Sequence, residues 1–185
     1  MVANINNGVI FLVNTVLQIG LGILLLRVLL QLVRADFYNP ISQLVWRVTQ
    51  PLARPLQHLL PRYRTLDLAG AALLYALALI YIEVMASLWN LDIAVLPVLL
   101  QALLKLTSLT LNLYTLSLFA QALLSWVGPG VSNPAANVLW SLNEPLLRPV
   151  RRILPSISGL DLSPIPVMLI LQLLDRLLPL SPYFH

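Results

Sequence analysis

The chain of 185 residues has no cysteine and only two histidines. Without cysteine there is no disulfide, no thiolate nucleophile and no thiolate metal ligand. His58 and His185 have no metal-ligand spacing with each other or with a carboxylate cluster. No Gly-x-Ser-x-Gly elbow, phosphate loop or HExxH run occurs. Gly159-Leu160-Asp161 faintly echoes an intramembrane aspartyl motif, but its most economical role is a turn before a helix. No residue set meets the geometric roles of an active site, so a non-catalytic protein without metal or cofactor is expected.

Charge is scarce too. A soluble domain is about 25% charged, whereas this chain is 10% charged and 59% hydrophobic, with a mean hydropathy of +0.86. A soluble fold would lack the polar residues to cover its surface. Uncharged runs cover 8–26, 68–82, the stretch from Leu106 up to Glu144, and 162–174. A helix needs about 20 residues at about 1.5 Å each to cross the hydrocarbon core. An all-α membrane protein with four transmembrane helices is expected. The first charged side chain is Arg27, so the first apolar run is expected to be a retained span rather than a cleaved signal.

Sliding the sequence against itself by 94 residues gives an ungapped match. Asn39-Pro40 falls on Asn133-Pro134, Trp46 on Trp140, Pro51-Leu52 on Pro145-Leu146, and Arg54-Pro55 on Arg148-Pro149. Leu60-Pro61 meets Leu154-Pro155, and Leu66-Asp67-Leu68 meets Leu160-Asp161-Leu162. Twelve of the thirty positions in 39–68 are identical, several of them Pro or Trp. The sequence reads as a duplication, 1–92 and 93–185. Expected spans are 8–33 and 68–89 in the first repeat, 96–127 and 162–180 in the second. Between them lie interfacial segments 39–61 and 133–155.

Two spans per repeat make the repeats parallel. Of eleven basic residues, eight lie in two stretches, 34–67 and 128–161: Arg34, Arg47, Arg54, Arg62 and Arg64, then Arg148, Arg151 and Arg152. That bias places those stretches in the cytoplasm and both termini outside. It is a topology signal, and no direct nucleic-acid contact is expected. In the first segment Ile41, Leu44, Val45, Val48, Leu52, Leu56 and Leu59 recur at helical steps, opposite Gln43, Arg47, Gln50, Arg54, Gln57 and His58. Such faces suit amphipathic helices lying in the interface plane. Pro51, Pro55 and Pro61, with Pro145, Pro149 and Pro155, are expected to break each segment into two or three helical pieces.

Several residues are candidate sites. Asp67 and Asp161 stand where the following helices begin and are expected to cap them, with Ser163 capping a helix whose first residue is Pro164. Arg54, Arg148, Arg151 and Arg152 form basic faces that attract anionic lipid headgroups or dock a membrane or cytoplasmic protein partner. Arg27, about 9 Å from the end of its span, can snorkel to the surface. Glu83, Lys105, Asp175 and Arg176 lie inside spans, where charge is costly. They are expected to form an ion-pair network, with Glu83 pairing Lys105.

Asp36-Phe-Tyr-Asn-Pro40, Thr49-Gln-Pro51, Glu144-Pro-Leu-Leu-Arg-Pro-Val-Arg-Arg-Ile-Leu-Pro155 and Gly159-Leu-Asp-Leu-Ser-Pro164 resemble the YggT (YlmG) family over nearly the whole chain. The first repeat departs from the fuller pattern: Gln57-His58 replace the Arg pair, and Ala69-Gly70 replace Ser-Pro. The resemblance implies a small bacterial inner-membrane protein with relatives in cyanobacteria and plastids. Family members are associated with osmotic or potassium stress, cell division, nucleoid organisation and cytochrome b6 maturation. A membrane scaffold or assembly factor is expected first. The alternative is a channel or transporter for ions or osmolytes, which four spans could form only as a homo-oligomer.

Overall fold

A computed structural model describes residues 2–58, 60, 67–127, 133–154 and 161–184. Pro61, Arg62, Arg64, Pro155, Gly159 and His185 lie outside the described residues. Regular structure among the described residues is helical throughout: α1 Val2–Leu32, α2 Pro40–Gln57, α3 Leu68–Leu88, α4 Val95–Val127, α5 Pro134–Arg151 and α6 Pro164–Leu177, followed by a 3₁₀ turn Pro182–Phe184.

Three helices carry stretches long and apolar enough to cross a membrane: Asn7–Leu32, Leu68–Leu88 and Val95–Ser125. This is a helical membrane protein. The fourth expected span, 162–180, is shorter as a helix. α6 has 14 residues, roughly 21 Å at the helical rise, and it stops because Leu178 precedes Pro179. The proline ring pushes that residue out of the α region, and Leu178 sits at φ −66°, ψ 130°.

The core lies where α1, α3 and α4 meet, around Leu21, Ala78, Tyr81, Ile82, Met85 and Ala102. Ala78 and Ala102 let the backbones approach closely, as small residues do in membrane helix packing. α6 packs along α4, around Leu118, Leu147, Val167 and Leu171 with help from α5. The chain end folds back under α3: Tyr81 donates its hydroxyl to the Phe184 carbonyl at 3.3 Å and to Asn14 at 2.9 Å.

α2 and α5 are each one continuous helix of 18 residues whose first and last positions differ by 94. The expected breaks at Pro51, Pro55, Pro145 and Pro149 do not occur. These prolines are spaced by four, so each pair shares one side of its helix, and all four are exposed. The carbonyls they leave unpaired therefore lie where water or headgroups can reach them. Asn39 and Asn133 cap the two helices, accepting from the Ile41 and Ala136 amides. α2 turns Ser42, Val45, Thr49 and Ala53 to the bundle and leaves Leu44, Val48 and Leu52 exposed beside exposed Arg47 and Arg54. The two helices touch directly: Asn39 Nδ2 donates to the Pro134 carbonyl at 2.7 Å, and Leu30, Val45 and Val138 form a small cluster.

Candidate functional site

Arg27 does not snorkel. It is 2% exposed and points from α1 into the junction of α2 and α3. Nε and Nη2 donate to Asp67 Oδ2 at 3.0 and 2.8 Å, Nη1 donates to Thr49 Oγ1 at 2.9 Å, and Nη2 reaches Gln50 Oε1 at 3.1 Å. The guanidinium lies 4.1 Å from the centre of the Trp46 ring. A buried charge persists only when paired and hydrogen-bonded, and this one has a carboxylate, two polar acceptors and an aromatic face. Asp67 caps α3 through the Gly70 amide, 3.1 Å from its other oxygen. Position 70 has little room for a side chain: an added Cβ would stand 2.9 Å from Asp67 Oδ2 and 3.4 Å from Arg27 Nε, so Asp67 would have to shift.

The second repeat closes the same Trp–Asp pair with a guanidinium from elsewhere. Arg151, the last residue of α5, donates from Nε to Asp161 Oδ2 at 2.9 Å and from Nη1 to Glu144 Oε2 at 2.6 Å. Its guanidinium is 4.9 Å from the centre of the Trp140 ring. Ser163 holds the N-cap position of α6 without capping through its side chain; its hydroxyl and amide instead donate to Asp161 Oδ1. The reason is local. The counterpart of Gly70 is Pro164, which has no N–H to offer a capping carboxylate, and Ser163 supplies the missing donors. Burial pushes the Asp161 carboxyl up, but the bonds from Ser163 and then Arg151 outweigh it and hold the group below its ordinary 3.8.

Two positions have exchanged residues between the repeats. Positions 27 and 121 are Arg and Gln, whereas positions 57 and 151 are Gln and Arg. Each glutamine bonds into its own repeat: Gln121 accepts from Asn143, the counterpart of Thr49, at 2.8 Å, and Gln57 accepts from Gln50 at 3.0 Å. This exchange was readable in the 94-residue alignment, but only as two unrelated mismatches until side-chain geometry joined them. The two sites differ in depth. The Arg27 and Asp67 side chains are each 1% exposed, against 26% for Arg151, 27% for Asp161 and 35% for Glu144.

The structure thus divides the basic residues in and just after α2 and α5. Arg151 is engaged in the second knot, while Arg54, Arg148 and Arg152 are exposed and have no side-chain partner among the described residues. The charges on α3, α4 and α6 divide as well. Lys105 is 4% exposed, with its ammonium 4.7 Å from the centre of the Tyr81 ring. Asp175 accepts from Ser108 at 2.6 Å and Asn112 at 3.1 Å and acts on Lys105 electrostatically. Glu83 instead lies exposed beside Ser87, Asn90 and Asp92, and Arg176 is exposed. The ion pairs among the described residues belong to Arg27 and Arg151, so Glu83 does not pair with Lys105. Among those residues no cluster of acidic or histidine side chains could hold a metal ion.

The profile of the CCB3/YggT family matches the chain in two consecutive stretches, 6–97 and 100–181. The chain belongs to the CCB3/YggT family. It is 40% identical over 175 residues to the protein PA0392 of Pseudomonas aeruginosa, covering 94% of this chain and 89% of that one. It is 37% identical over 170 residues to YggT of Escherichia coli K12, covering 91% and 88%. A Vibrio alginolyticus relative is 36% identical over 175 residues, covering 93% and 94%. No solved structure matches this YggT-family chain.

Proposed function

We propose that this protein is a non-catalytic scaffold of the bacterial inner membrane, whose paired interfacial helices present a basic docking face to a cytoplasmic or membrane partner. The observation that carries this is the division of the arginines. Arg148 on α5 and Arg152 just past its end stay exposed, while Arg151 engages both Glu144 and Asp161. A membrane anchor alone would not need α2 and α5 joined edge to edge through Asn39 and Pro134.

In this reading the chain crosses four times, as two parallel repeats with α2 and α5 in the cytoplasm and both termini outside. The 14-residue α6 completes its crossing with the non-helical tail 178–181. Non-helical backbone is tolerated at membrane depth only where protein satisfies it. Gln101 accepts from the Ser181 amide at 3.1 Å, and Tyr81 donates to the Phe184 carbonyl.

The test is charge reversal on α5 outside the knot. Arg148→Glu with Arg152→Glu should insert and fold normally, yet abolish photocrosslinks from position 141 and fail to complement a deletion strain under osmotic stress. Full complementation with intact crosslinks would overturn the docking role. Selective ion flux in liposomes holding only the purified protein would overturn the scaffold reading itself.

A further inference from the structure

α1 ends with a backbone choice that costs energy. Arg34 sits in the left-handed region at φ 55°, its amide bonded to the Gln31 carbonyl and the Ala35 amide to the Leu30 carbonyl. That is a Schellman ending, in which the left-handed position ordinarily falls to glycine. At the other left-handed non-glycine residue among the described residues, Asn90 closes α3 in the same way, and asparagine takes that conformation more readily than arginine. Strain held at one residue points to a use for its side chain.

That side chain borders a recess of about 450 Å³ between the end of α1 and the first turns of α2, lined also by Leu30, Gln31, Phe37, Ser42, Val45 and Trp46. Arg34 has no side-chain partner among the described residues. Gln31 Oε1 and Ser42 Oγ are buried with no hydrogen-bond partner among the described residues, and Ser42 is 8% exposed. Buried polar atoms left unpaired are uncommon and costly. Arg27 forms the floor of the recess, but its charge is matched by Asp67, so Arg34 supplies the net charge. One wall is apolar, and the recess opens where a span meets an interfacial helix whose Leu44, Val48 and Leu52 are exposed.

We propose that this recess binds the headgroup of an anionic phospholipid bearing a hydroxyl, of the phosphatidylglycerol class. Arg34 pairs with the phosphodiester, and the Ser42 hydroxyl, one χ1 rotation away, donates to it. Gln31 Oε1 accepts from the headgroup hydroxyl, while Leu30, Val45 and Phe37 receive the glycerol backbone and the first methylenes. A choline headgroup carries the phosphate but neither net charge nor a donor for Gln31. Inorganic phosphate has no apolar part to occupy the wall.

The test uses the full chain purified in neutral detergent, with lipid binding read by native mass spectrometry and by thermal shift. Phosphatidylglycerol should bind at least about tenfold more tightly than phosphatidylcholine, as loss of one charge-assisted contact implies. Inorganic phosphate at millimolar levels should leave it bound. Arg34→Gly is the decisive variant. Glycine relieves the left-handed strain, so the lipid-free protein should melt at the same or a higher temperature, while phosphatidylglycerol affinity falls about tenfold. Ser42→Ala should lower affinity more modestly without unfolding the chain. Equal binding of the two lipids, displacement by phosphate, or unchanged affinity in Arg34→Gly would each overturn the proposal.

Discussion

At Trp46 the guanidinium arrives from α1 and is sealed from solvent; at Trp140 it arrives from α5 itself and stays about a quarter exposed. Both repeats tie one helix to the chain just before the next, and both use an aspartate, a tryptophan and one arginine. Moving that arginine by exchange with glutamine changes what each site can do. Arg27 bonds to α2 and to the residue capping α3, so the first repeat cannot part these helices without stranding a buried charge. Arg151 reaches only to its own helix and to the turn before α6, in partial contact with water. The first site is sealed in the bundle, and the second stays partly open to solvent.

The comparison can be broken by removing each arginine in turn. Arg27→Met should have the largest effect, a stability loss of about 3–5 kcal/mol, because Asp67 would stay buried and unpaired. Thermal unfolding in detergent would read it, and a loss as small as that of an exposed residue would show the knot to be dispensable. Gly70→Ala should cost less, about 1–3 kcal/mol, by pressing a methyl group against Asp67 and Arg27. Arg151→Gln should cost about 1 kcal/mol or less, since partly hydrated pairs contribute little.

Asp161 sharpens the contrast through pH. Its carboxyl is held below its ordinary 3.8 in the folded chain, so its contribution is fully present above that value and is lost as pH falls through the lower folded value. The stability gap between the wild type and Asp161→Asn should therefore be constant from pH 7 to about pH 5 and narrow only below about pH 4. A gap that closes near pH 6 would contradict the bonding to Ser163 and Arg151.

Much of this architecture was legible in the sequence. The apolar runs located α1, α3 and α4, and the 94-residue offset anticipated helices α2 and α5 with matching ends. Asp67 read as a cap because its position before an apolar run is a local signal, and the structure adds that it caps and pairs at once. Arg27 was misread because spacing along a helix says how far a side chain lies from the surface, not whether Trp46, Thr49 and Asp67 wait beside it. The continuity of α2 through Pro51 and Pro55 was not legible for a related reason: sequence gives their spacing and hence a shared side, while only the fold shows that this side is exposed. Glu83 and Lys105 looked paired by depth, yet depth does not fix the face, and Lys105 turns to Tyr81 while Glu83 turns outward. The recess at Arg34 carried no signal at all, since a left-handed arginine is invisible until the backbone is drawn.

The exchange itself offers the most direct measurement. If the two knots are alternative ways of closing one Trp–Asp pair, the arginine of the first repeat can be moved to where the second repeat keeps it. Gln57 already has an unpartnered buried Nε2 and bonds to Gln50, the counterpart of Glu144. Thermal unfolding of Arg27→Gln, Gln57→Arg and the double variant forms a complete cycle. The expected result is a large loss for Arg27→Gln and recovery of at least about half of it in the double variant, a coupling of roughly 1–3 kcal/mol. Losses that simply add would contradict the equivalence of the two sites and leave Arg27 and Arg151 as unrelated arginines.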